Sequence, residues 1–268
     1  MSAVTEHYER SDALSKVQAA LDRLAPDGRT VTLDELAGFD HFHTAGALAT
    51  ARMADLLAPG PDDLVLDAGA GLGGPARYLA QRAGCRVIGI DLTPQFVEVG
   101  RLLNTRTGLD ALVELRVGDI TSIDLEDGAV DHVWTQHVAM NIADRPSLYR
   151  EIRRVMKPGG RFALFDVIDG GGGELLLPVP WATEPSHNHL VTRDQLRSLL
   201  ESAGFRIDLD DDPAAELLPA MQKMMEAPPA HGLTTSMFID DVETKGPRYL
   251  QNLAEGRTAL SLMVCTAL

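Results

Sequence analysis

The sequence predicts an α/β fold, a seven-stranded and mostly parallel sheet with helices on both faces. Short apolar segments of strand length recur along the chain, and segments with the apolar spacing of amphipathic helices separate most of them. Consecutive strands that are joined through helices form parallel sheets with right-handed crossovers. A glycine-rich turn between the first strand and the next helix marks the edge of the sheet where such folds bind ligands.

Three predicted helices precede the first strand and make an N-terminal helical cap. Apolar residues at helical spacing indicate a helix at 11–24. Thr32 caps a short helix at 33–36, and a third helix follows at 47–57. The proline and glycine residues at 59–61 then end the cap, because they interrupt any regular element before the first strand.

The core alternates strands and helices up to the fifth strand. The predicted strands lie at 64–67, 86–91, 112–117, 129–136, 161–168, 205–209 and 259–266. Three predicted helices between them lie at 74–83, 93–107 and 146–156. A fourth begins after the capping residue Thr192 and ends near 203–204.

We expect a single domain over residues 1–268, because no low-complexity segment is long enough to be a linker. Within it we distinguish the cap at 1–57, a ligand-binding core at 60–212, a helical lid inserted at 213–256 and a final strand region at 257–268. The cap and the lid are expected to close over the ligand site.

The composition restricts the partners of the chain. Its formal net charge of −15 argues against nucleic acid and against anionic membrane surfaces, since both bind through lysine and arginine. No apolar run reaches the roughly 18 residues that span a bilayer, and the polar N-terminus shows no signal peptide. Cys85 and Cys265 lie in apolar runs, and no residue cluster has metal-ligand spacing. We therefore expect a cytoplasmic protein without a metal.

The stretch from Leu64 to Gly74 combines an apolar strand, a glycine turn and a helix start. Gly69, Gly71 and Gly74 fit the pattern G-x-G-x-x-G, which is typical of dinucleotide-binding turns. Asp67, however, stands directly before these glycines at the carboxyl end of the strand. A carboxylate in this place repels a pyrophosphate and attracts an ammonium group. The turn therefore favours a cofactor that presents a positive charge here.

Further polar side chains follow the later strands. Asp91 ends the second strand about twenty residues beyond the first motif glycine, where an acid can bind both hydroxyls of a ribose. This spacing suits nicotinamide and methionine-type cofactors equally. Asp119 follows the third strand, where a carboxylate can accept an adenine amino group, and Gln136 ends the fourth. We expect these three residues, with the neighbouring Leu92 and Ile120, to bind the cofactor.

These motifs resemble those of class I S-adenosylmethionine-dependent methyltransferases. The resemblance rests on D-A-G-A-G-L-G-G around the first turn, on Asp91 and Asp119, and on the K-P-G-G turn at 157–160, and it extends from about Phe39 to Phe205. H-V-A-M-N-I-A-D-R and the later P-V-P-W resemble a small-molecule subgroup that includes sarcosine/dimethylglycine, tocopherol-type and natural-product methyltransferases. This resemblance implies a Rossmann-like sheet, S-adenosylmethionine as cofactor, S-adenosylhomocysteine as product and a small-molecule acceptor.

The segment F-D-H-F-H-T-A-G is similar to the D-Q-F-H-x-G-G signature of that subgroup. In the subgroup this segment folds over the methionine end of the cofactor. The resemblance thus implies that His43 and Thr44 bind the cofactor. His41 replaces the glutamine and Ala45 the first glycine of the signature, and we expect His41 to face the substrate.

The acceptor should lie over the carboxyl ends of strands four and five. Candidate catalytic residues there are His137, Asn141 and Asp166. His137 could be a general base, a residue that lines the site or a structural histidine, because relatives place an acid at its position and a histidine at that of Asn141. Asp166 could orient the acceptor or cap its strand.

Candidate substrate-binding residues complete the predicted site. Met140 follows strand four, whereas Trp181 and His187 lie on a loop that is expected to cover the acceptor. Trp181 would line an apolar pocket or simply pack in the core. His187 would contact the substrate or remain an exposed loop residue.

The sequence favours methyl transfer to a small-molecule N, O or C acceptor in specialised metabolism, by a monomer or homodimer. An alternative is an enzyme with the same fold that binds the cofactor but catalyses a cyclisation or another non-methylating step. A nicotinamide oxidoreductase is disfavoured, because Asp67 stands where phosphate should approach. A regulatory binding module with an inactive site is disfavoured by the intact motif set.

Overall fold

The computed structural model describes residues 12–226 and 232–268, with the backbone alone for 223–226. Residues 1–11 of the predicted cap and 227–231 of the predicted lid lie outside the described residues. The described helices are α1 Ala13–Leu24, α2 Leu33–Leu36, α3 Gly46–Leu57, α4 Gly74–Ala83, α5 Pro94–Thr107, α6 Arg145–Val155, α7 Arg193–Ser202, α8 Ala214–Glu226 and α9 Val242–Ala254. The strands are β1 Leu64–Ala68, β2 Arg86–Asp91, β3 Val113–Val117, β4 His132–Gln136, β5 Arg161–Asp169, β6 Phe205–Asp211 and β7 Thr258–Ala267.

The seven strands form one sheet in the order β3-β2-β1-β4-β5-β7-β6. The strands from β1 to β5 pair in parallel, whereas β7 runs antiparallel between β5 and β6. The order reverses between β1 and β4, and this reversal opens a crevice at the carboxyl ends of the strands. The predicted seven-stranded, mostly parallel fold with helices on both faces is confirmed.

The fifth strand shows how the sheet separates two apolar layers. Phe162 and Leu164 pack in one buried cluster with α6, whereas Ala163 and Phe165 pack in another with α3. This alternation follows the two-residue period of a strand. Because both faces are apolar, the strand needs helices on both sides of the sheet.

Capping residues fix the starts of two helices as the sequence predicts. Thr32 and Glu35 form a reciprocal capping box at α2, and Thr192 forms the same arrangement with Gln195 at α7. The fourth strand is shorter than predicted. It begins at His132 rather than at residue 129, because Val130 forms an isolated bridge with the end of α6 instead of pairing with a strand.

None of the helices within 12–226 and 232–268 has both the length and the apolar character that crossing a bilayer requires.

A buried ion pair connects the cap to the core. Arg77 on α4 is fully buried and donates to Asp40 Oδ2 at 2.9 Å. The same guanidinium donates to the Leu72 carbonyl at 2.8 Å and to Asn104 Oδ1 at 2.8 Å. It thereby connects the cap, the glycine turn and α5.

Arg77→Met is expected to destabilise the protein by about 3–5 kcal/mol, because it leaves the Asp40 carboxylate buried without its cation. Urea unfolding measures the loss. The matched control is Arg116→Met, which removes an exposed ion pair with Glu114 and should cost less than about 1 kcal/mol. Equal losses in the two variants would contradict this role of Arg77.

Candidate functional site

A cavity of about 720 Å³ lies at the carboxyl ends of the parallel strands. The glycine turn and the residues after β2, β3 and β4 form one side of it. Residues 38–45, which we call the histidine segment, cover it. Residues 180–181, Met221 and residues within 233–249 supply the opposite side, which we call the lid wall. Apart from Asp166 and His187, every site residue predicted from the sequence lines this cavity.

The glycine turn presents bare backbone to the cavity. Gly69 has φ +84°, and a Cβ atom there would come within 2.4 Å of the Val138 side chain. Gly71 has φ +54°, but a Cβ atom there would meet no heavy atom within 4 Å. Gly69 is thus required by packing, whereas Gly71 keeps open the space in front of the turn.

Asp91 is tied to that turn. Its Oδ2 atom accepts from the Gly71 amide at 2.8 Å, and its Oδ1 atom accepts from the Thr93 amide at 2.9 Å. Burial raises the pKa of Asp91 above its ordinary value. Each carboxylate oxygen has a second lone pair, so Asp91 can still accept from two hydroxyl groups of a ligand.

Asp67 is a buried acid that forms no ion pair with any of the described side chains. It is 2% exposed, and its Oδ2 atom has no hydrogen-bond partner among the described residues. Burial raises its pKa to about 7, and the charge of Asp91 adds to the rise. The Trp134 indole is close enough to lower this pKa, but its N–H does not have hydrogen-bond geometry. Such a carboxylate is suited to a cation.

Asp119 lies at the exposed end of the cavity. Its Oδ1 atom accepts from the amide of Thr121 at 2.8 Å and from its hydroxyl at 2.7 Å. These bonds fix the carboxylate beside the cavity. Leu92 and the buried Ile120 supply apolar surface next to the two acids.

The histidine segment converges on one hydroxyl group. Thr50 Oγ1 lies 3.0 Å from His41 Nδ1, 3.0 Å from His43 Nε2 and 3.4 Å from Gln136 Oε1. Burial lowers the pKa of both histidines to about 3, so both rings are neutral at physiological pH. Thr44 directly follows His43, and its Oγ1 atom lies 2.8 Å from the hydroxyl oxygen of Tyr249 on α9. The segment therefore connects β4 with the lid wall.

His137 occupies a strained position directly after β4. Its φ is +55°, and its amide donates to the Phe165 carbonyl at 2.7 Å. The ring atom Nε2 is buried and has no hydrogen-bond partner within the part of the chain that the structure describes. Burial, with the nearby His43, keeps the pKa of His137 well below 6.5, so the imidazole is neutral. It can accept a hydrogen bond from a ligand.

Asp166 lies outside the cavity, in the middle of β5. It is fully buried and accepts from the amides of Val138 at 2.8 Å and Ala139 at 3.3 Å. Burial raises its pKa to about 6. Because its Oδ1 atom holds the turn that follows His137, Asp166 positions that turn and does not line the cavity.

The remaining predicted residues divide between the cavity and the surface. Met140 and Asn141 line the cavity from the short helix after His137. Trp181 lines it too, and its indole donates to Asn188 Oδ1 at 3.0 Å. His187 lies in the turn beyond Trp181 and does not reach the cavity, because that turn extends along the surface.

Sequence reasoning missed Thr50, Tyr249 and Glu243. Thr50 was detectable as a polar residue on the buried face of α3. Tyr249 and Glu243 line the cavity from α9, where no motif distinguishes them from other lid residues.

Comparisons with known proteins agree with this geometry. Residues 66–164 match the family described as Methyltransferase domain. This stretch includes the glycine turn, Asp67, Asp91 and His137. It is similar to a methyltransferase domain. A solved geranyl diphosphate C-methyltransferase from Streptomyces coelicolor A3(2), in complex with Mg²⁺, geranyl diphosphate and S-adenosyl-L-homocysteine, shares the fold. Its TM-score is 0.68 at 21% identity, over 100% of this chain and 88% of that one.

Two curated relatives extend the similarity beyond this domain. A sarcosine/dimethylglycine N-methyltransferase of Halorhodospira halochloris is 40% identical over 107 residues, which are 40% of this chain and 38% of that protein. A sterol 24-C-methyltransferase of Eremothecium gossypii is 31% identical over 165 residues, 57% of this chain and 42% of that protein. The chain thus spans about two fifths of the length of these relatives.

Asp67→Asn is expected to stabilise the ligand-free protein more at pH 8 than at pH 5. Because the pKa of Asp67 rises from 3.8 to about 7 on folding, the folded state retains a proton that the unfolded state releases. Stability therefore falls as the pH rises through this window, and asparagine avoids the loss. Urea unfolding at both pH values measures the difference. The exposed Asp62→Asn is the control, and an equal effect of Asp67→Asn at both pH values would contradict the assignment.

Proposed function

We propose that this chain is an S-adenosylmethionine-dependent methyltransferase that methylates a small molecule at N, O or C. The observation that carries the proposal is Asp67, a buried carboxylate beside a glycine turn of bare backbone, whose Oδ2 atom has no hydrogen-bond partner among the described residues. An amino acid ammonium group would satisfy it, whereas a pyrophosphate would be repelled. The family match over residues 66–164 supports the same conclusion.

The residues around the cavity suit each part of this cofactor. Asp67 would bind the ammonium group, Asp91 the ribose hydroxyls and Asp119 the adenine amino group. His43, Thr44 and Gln136 would cover the methionine end, with Gly69, Gly71, Leu92 and Ile120 as the surrounding walls. When bound, the cofactor supplies an electrophilic methyl group on a sulfonium, and S-adenosylhomocysteine is the product.

The chain itself would contribute position, desolvation and a hydrogen-bond acceptor. The neutral His137 would accept a hydrogen bond at Nε2 from the attacking group and receive its proton if one is released. Asn141 and Met140 would hold the acceptor against His137, and Asp166 would keep the turn that carries His137 in place. Because methyl transfer is an in-line displacement, this positioning supplies much of the rate.

The finer parts of the proposal rest on the sequence. The division into cap, core and lid follows the predicted boundaries, and the cap and lid would close over the acceptor. Similarity to natural-product methyltransferases supports a place in specialised metabolism. The charge and the cysteine content support a cytoplasmic location.

Isothermal titration tests the cofactor. We expect S-adenosylmethionine and S-adenosylhomocysteine to bind and NADH not to bind. Binding of NADH alone would overturn the proposal and favour an oxidoreductase. Incubation of small-molecule pools with methyl-labelled cofactor then tests the reaction. Label in the product supports methyl transfer, whereas an unlabelled product would indicate a cyclisation or another non-methylating step.

Asp91→Ala is expected to weaken cofactor binding by about 1.5–3 kcal/mol for each charge-assisted bond lost from the ribose. Isothermal titration gives the affinity. Asp91→Asn keeps one acceptor oxygen and should lose less, and Asp110→Ala, on an exposed loop away from the cavity, should lose nothing. An affinity of Asp91→Ala within twofold of the unchanged protein would show that this site is misplaced.

His137→Asn is expected to lower kcat by about 10²–10⁴-fold on an acceptor that the labelling experiment identifies, with cofactor affinity unchanged. Asparagine tolerates the left-handed backbone at this position, so the variant should fold. His187→Asn, outside the cavity, should keep the full rate. The pH profile should show no inflection from His137 between pH 6 and 8, because its pKa is well below 6.5. An unchanged kcat would exclude a catalytic role for His137.

A further inference from the structure

We infer that the acceptor is an uncharged or cationic, largely apolar molecule without a phosphate, diphosphate or carboxylate group. This inference rests on the proposed function and narrows it to a substrate class. Four observations carry it. They are the sign of the charges that line the cavity, the hydrogen bonds already made by the Gly71, Val138 and Ala139 amides, the neutrality of the histidines in the lining and the apolar character of the lid wall.

The charges that line the cavity have one sign. The carboxylates are those of Asp40, Asp67, Asp91, Asp119 and Glu243. Among residues 12–222 and 232–268, whose side chains the structure describes, no lysine or arginine contributes to the lining. The buried guanidinium of Arg77 is already bonded to Asp40 and to the Leu72 carbonyl. An anionic acceptor would therefore find no free guanidinium or ammonium group on this lining to balance its charge.

Three amides at or beside the cavity, which could otherwise stabilise an anion, are already bonded. The Gly71 amide donates to Asp91, and the amides of Val138 and Ala139 donate to Asp166. Burial lowers the pKa of all three histidines in the lining, so none carries a positive charge near pH 7. Proteins bind phosphates and carboxylates through such amides, through histidinium or through arginine and lysine. The lining formed by residues 12–222 and 232–268 offers an acceptor no arginine, lysine or histidinium, and these three amides are already bonded.

The lid wall is suited to an apolar body. Its side chains include Trp181, Met221, Ile239, Val242, Pro247 and Tyr249. The polar atoms of its two aromatic residues are occupied, because the Trp181 indole donates to Asn188 and the Tyr249 hydroxyl is bonded to Thr44. Glu243 is the one charged side chain that the described residues place on this wall, and it is exposed. An amine on the acceptor would be attracted to it.

This assignment separates the chain from some of its relatives. Sarcosine and dimethylglycine carry a carboxylate, and geranyl diphosphate is bound together with Mg²⁺ in the solved complex. A sterol is neutral and apolar, and the chain is also similar to a sterol methyltransferase. The lining of the cavity suits a neutral, apolar acceptor such as a sterol better than a carboxylate or a diphosphate.

Two fluorescent probes of nearly the same shape test the inference. N-phenyl-1-naphthylamine is neutral, and 1-anilinonaphthalene-8-sulfonate carries one negative charge on the same body. With protein saturated by S-adenosylhomocysteine, we expect the neutral probe to bind at least tenfold more tightly. Energy transfer from tryptophan to the probe should fall in Trp181→Phe, which locates the probe in the cavity.

The other outcomes count against the inference. Sulfonate binding as tight as that of the neutral probe overturns it, and so does sulfonate binding that Mg²⁺ induces, because a metal would then recruit anions. Failure of both probes to bind also overturns it, since an apolar wall should take up an apolar probe. Isothermal titration of S-adenosylhomocysteine tests the proposed function separately, because an absence of binding would overturn that function. The ratio of the two probe affinities could then still be measured on the ligand-free protein.

A charge reversal on the lid wall provides a second measurement. Glu243→Arg should tighten binding of the sulfonate probe at least fivefold and leave the neutral probe within twofold. Glu201→Arg makes the same change in net charge on an exposed surface of α7, away from the cavity, and should change neither affinity by more than twofold. Equal effects of the two variants would show that the lid wall does not select against anions.

Discussion

The buried guanidinium of Arg77 is the interaction on which the arrangement of the site depends. It bonds Asp40 in the histidine segment, the Leu72 carbonyl in the glycine turn and Asn104 on α5. The close approach extends to the backbone, because a Cβ atom at Gly74 would come within 2.3 Å of the Asp40 carbonyl oxygen. The segment that covers the cavity is thus fixed to the turn that forms its floor, and the two define one binding space.

The same cavity concentrates ionisable groups whose charged forms are costly. Burial raises the pKa of Asp67 to about 7 and that of Asp91 above its ordinary value, and it lowers the pKa of His137. Each shift is a stability penalty in the ligand-free protein, since the group would ionise more easily in the unfolded chain. A cationic ligand beside the two acids removes part of that penalty. Strongly shifted pKa values in a cavity are therefore an indication of a binding site.

Sequence reasoning recovers the parts of this structure that depend on local patterns. Alternating strands and helices predict the sheet, and the glycine turn with Asp67 and Asp91 predicts the cofactor side of the cavity, because a strand-end acid has a fixed place in such a sheet. Asp166 was assigned to the acceptor side since it lies near the end of its strand in sequence, but its side chain is fully buried and bonds the turn after His137. Trp181 on the lid wall was predicted, but Tyr249 was not, because contacts such as that between Thr44 and Tyr249 join residues 205 positions apart.

Backbone strain is a feature of the acceptor side that local sequence patterns do not predict. Among the described residues other than glycine, positive φ occurs at Ala45, Ala58, His137 and Asp241. Ala58 ends a helix, where this conformation is common, but Ala45 and His137 line the cavity and Asp241 directly precedes lid-wall residues. Neither alanine nor histidine has the conformational freedom of glycine, so tertiary contacts must hold the left-handed backbone. At His137 they do so through the Phe165 carbonyl and the two amides held by Asp166. These contacts hold the strained backbone, and the strained backbone keeps the His137 imidazole at the cavity. A relaxed turn would direct the imidazole away from it.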